Sequence, residues 1–231
     1  MPKITSVEPQ KKNLRLRLGQ APHRFNIFLD GQFAFGADED LVVEHRLVIG
    51  KVLDAGQVEK LLFEAEVGKL MERMYRLWNI RPRSEKEVRD YFRIKNYELR
   101  IKNKEPISDM GVEMVIEKLK QKKLLDDKEF AKAWVESRRK SKKKGKIALR
   151  AELFQKGIDR DLIEEVLEEK TSQESEEILA KGALEKRVKA WKNLSRLEFK
   201  KKAYEFLLRR GFEYSLVRDV VENYLKKGYN T

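Results

Sequence analysis

Leu149–Leu167 reads LRAELFQKGIDRDLIEEVL, and Ala203–Val221 reads AYEFLLRRGFEYSLVRDVV. With Ile158 and Phe212 each taken as zero, the two stretches superpose. Downstream, apolar residues fall at +4, +5, +8 and +9: Leu162, Ile163, Val166 and Leu167 in one, Leu216, Val217, Val220 and Val221 in the other. Upstream, Leu153/Phe154 match Leu207/Leu208 at −5 and −4, and Leu149 matches Ala203 at −9. Spacings of three to five residues belong to one face of an α-helix. Each stretch is therefore helix, glycine-centred turn, helix. Gly157 and Gly211 suit the left-handed position just past a helix end, where a Cβ is penalised.

A third, interrupted copy lies earlier. Lys95-Asn96-Tyr97 stands where Lys-Gly-Ile and Arg-Gly-Phe stand later, with Phe92 and Val88 at −5 and −9. Asn is the next-best residue for a left-handed cap. The downstream pattern is displaced by 10 residues: Val112, Val115 and Ile116 match if Ile107 takes the zero place. This reading makes 98–106 an inserted loop. A further helix precedes each copy, at Val67–Asn79, Asp127–Lys143 and about Gln173–Ala190. Ser84-Glu85-Lys86-Glu87 and Ser195-Arg196-Leu197-Glu198 fit capping boxes, and Asp126-Asp127 can cap the helix that follows. A unit of some 50 residues buries little alone, so stacking should supply much of the stability.

Upstream of these units the pattern changes period, and residues 1–37 read as β. Leu14, Leu16 and Leu18 alternate with Arg15 and Arg17, as in a half-buried strand. Phe25–Leu29 and Gln32–Phe35 flank Asp30-Gly31, a strong hairpin signal. A three-residue loop, the register favoured here, puts Phe25, Ile27, Leu29, Phe33 and Phe35 on one face; a two-residue loop splits them. Asp38 and Asp54 can cap two helices that follow.

The expected fold is mainly α: three tandem three-helix repeats forming an elongated curved body, preceded by a small N-terminal β-hairpin or meander region. The expected segments are a β-rich extension with short helices at 1–66, a first repeat at 67–125 with the 98–106 insertion, a second at 126–170 and a third at 171–231.

Charge separates the same regions. Of 52 Lys+Arg and 39 Asp+Glu, residues 1–66 hold 9 and 10, which leaves 43 and 29 in the helical remainder. A basic field of this size attracts polyanions. Ser137–Arg150 concentrates it: Arg138, Arg139, Lys140, Lys142, Lys143, Lys144, Lys146 and Arg150, with no acid between them. These residues suit phosphates or an acidic protein surface, although cations at a helix C-terminus also gain from the dipole. Lys200, Lys201 and Lys202 with Arg209 and Arg210 form a second group, for which a solvated helix face is the slightly favoured reading over partner contact. Arg81 and Arg83 flank Pro82 before a helix, where they could meet a partner or pair with nearby carboxylates. Trp78, Trp134 and Trp191 recur late in the first helix of each repeat, and packing between helices is the favoured reading.

Arg81-Pro82-Arg83-Ser84-Glu85, Leu124-Leu125-Asp126-Asp127-Lys128-Glu129-Phe130-Ala131, Leu149-Arg150-Ala151-Glu152-Leu153 with Lys156-Gly157-Ile158, and Leu208-Arg209-Arg210-Gly211-Phe212 resemble, in order and spacing, the bacterial RecX family. The resemblance covers about 67–228, and Asn26–Gly36 is similar to the N-terminal extension of longer members. Three departures stand out: Asn96 for the usual glycine, Lys123 at another small position, and the extra 98–106 segment. The resemblance implies a cytoplasmic modulator, usually an inhibitor, of the RecA recombinase in DNA repair, homologous recombination and the SOS response. Such a protein lodges in the RecA–DNA filament and restrains ATP hydrolysis, strand exchange and coprotease activity. Its partners would be the RecA filament and single- and double-stranded DNA through backbone contacts, and it would act as a monomer. The alternative is a stand-alone helix-turn-helix-like DNA-binding protein acting without RecA.

Enzymatic readings find little footing. Cys is absent, and the two histidines, His23 and His45, lack a plausible Ser or Asp arrangement. Neither a GxxxxGK[ST] phosphate loop nor a Rossmann fingerprint is present. The acidic pairs Asp126/Asp127, Glu164/Glu165 and Glu168/Glu169 are better explained by capping and helix-surface pairing than by Mg²⁺. No catalytic residue, metal, cofactor or membrane association is expected.

Overall fold

The structure, a computed structural model, describes residues 1–10, 24–171, 173–191 and 193–226. Leu14, Leu16, Leu18 and His23 lie outside these residues. The chain divides into two compact units: Met1–Pro82 with Tyr91–Leu124, and Arg83–Asp90 with Leu125–Thr231. Among the described residues it is mainly helical, with ten α-helices and a three-stranded sheet.

In the first unit, β1 (Ile4–Pro9), β2 (Arg24–Leu29) and β3 (Gln32–Asp38) form an antiparallel sheet in the order β1-β2-β3. The hairpin corrects the three-residue expectation. Leu29 pairs with Gln32, so the loop is the two residues Asp30 and Gly31, both at positive φ (49° and 83°). That is the twist-matched geometry an Asp-Gly pair favours. The register then slips between Ile27 and Phe28, so that Phe28 faces Phe33 but Ile27 faces Phe35. This bulge absorbs the one-residue mismatch. Ile27 and Phe35 join the core with Phe25 and Leu29 packed at its edge, while Phe33 is 58% exposed and meets Phe28 edge-to-face.

Asp38 caps α1 (Glu39–Glu44) by accepting from the Leu41 N–H at 2.9 Å. Asp54 and Gln57 cap α2 (Ala55–Trp78) reciprocally. Leu41, Leu61 and Ala65 close over Ile4, Ile27 and Phe35, so these helices supply the cover the small sheet needs. The second helix runs unbroken through Val67, and farther along it packs on α4 (Asp109–Gln121).

Between them, α3 (Glu85–Ile101) departs from expectation. It continues through Asn96 instead of ending there, and the left-handed residue is Asn103, at φ 49°. Asn96 instead grips Ile107: its Nδ2 donates to the Ile107 carbonyl at 2.9 Å, and its Oδ1 accepts the Ile107 N–H at 2.8 Å. The first part of the proposed 98–106 loop is thus one more turn of helix. The residue expected to cap α3 pins the restart of the pattern, where Ile107 is buried.

The second unit contains two helical triplets: α5 (Asp127–Lys142), α6 (Lys146–Gln155), α7 (Arg160–Lys170), then α8 (Gln173–Val188), α9 (Arg196–Arg209) and α10 (Tyr214–Lys226). A short 3-10 turn, Lys189–Trp191, follows α8. Leu149, Leu153, Ile163, Val166 and Leu167 share one core with Phe130, Ala131 and Val135. Their counterparts Ala203, Leu207, Val217, Val220 and Val221 share another with Ala183 and Leu184. The −4 positions, Phe154 and Leu208, stay exposed. Gly157 and Gly211 sit at φ 79° and 84°, the left-handed turns that their spacing predicts.

These turns also receive the start of another helix. The Gly145 N–H donates to the Arg210 carbonyl at 2.9 Å and the Ile147 N–H to the Gly211 carbonyl at 3.0 Å, so α6 begins on the α9–α10 turn. The first residues of α3 treat the α6–α7 turn likewise: Ser84 Oγ donates to the Lys156 carbonyl at 2.7 Å, and Lys86 Nζ to the Gln155 carbonyl at 3.0 Å. Ser84 also caps α3, accepting from the Glu87 N–H at 3.3 Å, and the Glu87 carboxylate pairs with Lys156 Nζ at 2.5 Å. At the start of α9, the Ser195–Glu198 box closes on itself.

Candidate functional site

The basic stretch occupies the last turns of α5, the connection after it and the first turns of α6. Arg139, Lys140 and Lys142 stand in the last turn, where the helix dipole favours cations. Lys143 ends the helix in the left-handed conformation, and Gly145 follows as the N-cap of α6.

The fold then sorts these cations into two kinds. Four are neutralised by carboxylates that local sequence does not place beside them. Arg138 Nε lies 3.1 Å from Glu152 Oε2, and Lys144 pairs with the other oxygen of the same carboxylate. Arg139 pairs with Glu176 and donates to Ser175 Oγ at 2.8 Å. Arg150 forks onto Glu164 at 2.5 and 2.7 Å. Among the described residues, Lys140, Lys142, Lys143 and Lys146 have no carboxylate within 4.0 Å of their side-chain nitrogens. The unpaired charge is therefore narrower than the eight residues suggest, and it is lysine.

Electrostatics follow from these pairs. Burial pushes the Glu152 carboxyl up, but hydrogen bonds from Lys144 and Trp134 and the Arg138 charge outweigh it and hold it below the usual range. The hydrogen bond from Arg150 lowers Glu164, and its counterpart from Glu164 raises Arg150.

Trp134 is the hub of this arrangement. Its Nε1 donates to Glu152 Oε2 at 2.8 Å, its ring stacks on Phe130 at 5.7 Å, and Arg138 and Lys156 lie over it at 4.1 and 4.9 Å. It is half-buried and already covered, which is helix packing rather than a platform for bases. Trp78 donates to the Leu124 carbonyl at 2.9 Å, and Trp191 meets Phe199 and Phe206 edge-on.

The second basic group is dispersed. Lys200 lies 3.5 Å from Glu222 and lines a surface groove with Arg196, Leu197, Leu225 and Lys226. Lys201, Lys202 and Arg209 are exposed, whereas Arg210 is half-buried against Phe206. Arg81 Nη1 donates to the Pro82 carbonyl at 2.9 Å. The Arg83 Nε is buried, with no hydrogen-bond partner among the described residues. Sequence reasoning missed Glu152, Glu164 and Glu176 as the partners that divide the patch. Their separations of 8 to 37 residues carry no local signal. Among the described residues no helix is long and apolar enough to cross a membrane, and no group of His, Asp and Glu could hold a metal ion.

Residues 2–54 match the RecX N-terminal domain, 126–167 the second three-helix domain of RecX, and 175–221 the third. The chain is similar to the regulatory protein RecX of Bacillus velezensis, 36% identical over 222 residues that cover 96% of this chain and 77% of that one. It is equally similar to the protein of the same name from Bacillus subtilis, 36% identical over 94% of this chain and 75% of that one. A crystal structure of regulatory protein RecX matches it with a TM-score of 0.68 at 26% identity, covering 96% of this chain and all of that one. A helical triplet repeated around glycine turns, three domain matches and likeness to named relatives across nearly the whole length make this chain a member of the RecX family of regulatory proteins.

Proposed function

We propose that this protein binds the RecA–DNA filament and inhibits its ATPase, recombinase and coprotease activities, acting as a cytoplasmic monomer in recombination and SOS control. Membership of a regulatory family supports the general role. The observation that carries the mode of binding is the group of lysines at the α5–α6 connection. Lys140, Lys142, Lys143 and Lys146 remain without carboxylate partners among the described residues, while their arginine neighbours are neutralised. Lysines of this kind meet a polyanion as point charges, without reading bases. Binding should therefore be weakly sequence-specific and strongly salt-dependent. The three-helix units, read as 67–125, 126–170 and 171–231, would provide the frame for Arg81, Arg83 and both basic groups.

The test is RecA ATP turnover on single-stranded DNA with increasing amounts of this protein, at two salt concentrations. Turnover should fall well below one-to-one stoichiometry, and less at high salt. Unchanged turnover up to excess protein would reject the proposal. Tight, site-preferring duplex binding without RecA would instead favour a stand-alone DNA-binding protein.

A further inference from the structure

Within the two helical triplets of the second unit, half-buried arginines follow a pattern. Arg138 has Glu152, and Arg139 has Glu176. Arg210 breaks it. It sits at the C-cap of α9, its guanidinium carbon is 4.6 Å from the centroid of the Phe206 ring, and its Nε is buried with no hydrogen-bond partner among the described residues. The same ring carries a second guanidinium: Arg187, in the last turn of α8, lies 5.4 Å from that centroid. The two cannot be farther apart than the sum of these distances, roughly a Debye length at 0.1 M salt. Arg209 adds a third charge. Burial lowers the Arg210 pKa first, and the charges of Arg187 and Arg209 lower it further. Packing explains why Arg210 lies on an aromatic face. It does not explain a second cation on the same ring, with no carboxylate within 4.0 Å of either guanidinium among the described residues.

We propose that Arg187 and Arg210, held against Phe206, form a two-armed phosphate site on the third three-helix unit that takes a backbone phosphate of single-stranded nucleic acid. A guanidinium over a ring can present its two Nη groups even where, as in Arg210, Nε is buried, and that edge matches phosphate oxygens in a planar fork. An anion between them would supply the charge that glutamates supply to Arg138 and Arg139. The site deepens the reading of the protein as a filament ligand, because such a filament presents a strand of this chemistry.

The test uses the full chain, a labelled oligo-dT probe and no RecA, with affinity followed by fluorescence anisotropy across a salt series. Arg210→Gln should weaken binding at least fivefold and reduce the slope of log K against log salt by about 0.7, one single-strand phosphate contact. Arg210→Lys should recover little, because it keeps the charge and loses the fork. Arg187 is exposed, so Arg187→Gln should fold normally and weaken binding in the same direction even if the Arg210 variants prove unstable. Lys69→Gln, an equal loss of charge in the first unit, should change affinity less than twofold. Equal losses in Arg187→Gln and Lys69→Gln would reduce the effect to net charge and overturn the site. Unchanged oligo-dT binding, with or without loss of filament inhibition, would overturn it as well; the former result would point to an acidic protein surface. Submillimolar calorimetric binding of inorganic phosphate would assign the arginines to the free ion and overturn the strand. With RecA absent, failure here leaves the inhibition proposal standing, and failure of inhibition leaves this one standing.

Discussion

In the third three-helix unit the chain leaves α9 through one left-handed glycine, Gly211 at φ 84°, and is in α10 three residues later. In the first unit α3 runs past the corresponding residue, Asn96, to Ile101 and turns only at Asn103. Both routes restart the same apolar pattern, at Phe212 and at Ile107, and both residues are buried. The contrast separates two duties of the glycine. One is to reverse the chain, which asparagine at φ 49° also does. The other is to leave room: a Cβ on Gly211 would lie 2.2 Å from the Ala148 nitrogen, and one on Gly145 would lie 2.4 Å from the Gly211 carbonyl oxygen. Where another helix starts on the turn, glycine is required twice over. Where a side chain anchors the restart instead, the turn can move.

The contrast is most directly broken at Gly211. Gly211→Ala combines a disfavoured φ with a backbone clash that no rotamer relieves, so it should cost about 3–5 kcal/mol in urea unfolding followed by circular dichroism. A loss below 1 kcal/mol would mean that α6 does not start on this turn. A smaller effect sharpens the other side. Asn96→Ala leaves the N–H and C=O of Ile107 without their partners and should cost about 1–3 kcal/mol. Asn96→Gly should be at least as costly, because it adds a flexible residue inside a helix. If Asn96→Gly stabilised the protein, α3 would end at the residue where the repeats align.

The smallest effect is a pH dependence. Glu152 and Glu164, both in the second unit, have carboxyls lowered from the ordinary 4.5. A lowered carboxylate contributes stability that is complete above its unfolded pKa and is lost as pH falls through the folded value. Melting temperature should therefore hold from neutrality to about pH 5 and drop below 4.5. Glu152→Gln should lower the neutral plateau and flatten the acid limb. An unchanged limb would remove these pairs from the account of how the second unit is held.

The helical repeats were legible because burial imposes a period that survives sequence change. All eight downstream positions of the later copies are buried or half-buried, and Val112, Val115 and Ile116 are buried after the displaced restart. The sites of helix initiation were also readable, since Asp38, Asp54, Asp126 and Ser195 act through residues two or three positions away. The hairpin register was not. Residue spacing gave a choice between loops, but the bulge let the chain take the two-residue turn while keeping Ile27 and Phe35 together. The charge partners were hidden for a related reason. Arg139 and Glu176 are 37 residues apart, and only the finished packing of α5 near the start of α8 brings them together. A basic run in sequence is thus an upper bound on the positive surface it produces.

The seam between α6 and the α9–α10 turn has one more consequence. The amides of Gly145 and Ile147 belong to one triplet, while the oxygens they donate to, at Arg210 and Gly211, belong to the next. Their protons are shielded by adhesion of the two triplets rather than by the integrity of either. In native-state deuterium exchange, these two sites would register the triplets parting before either one melts, a built-in gauge of cohesion along the array.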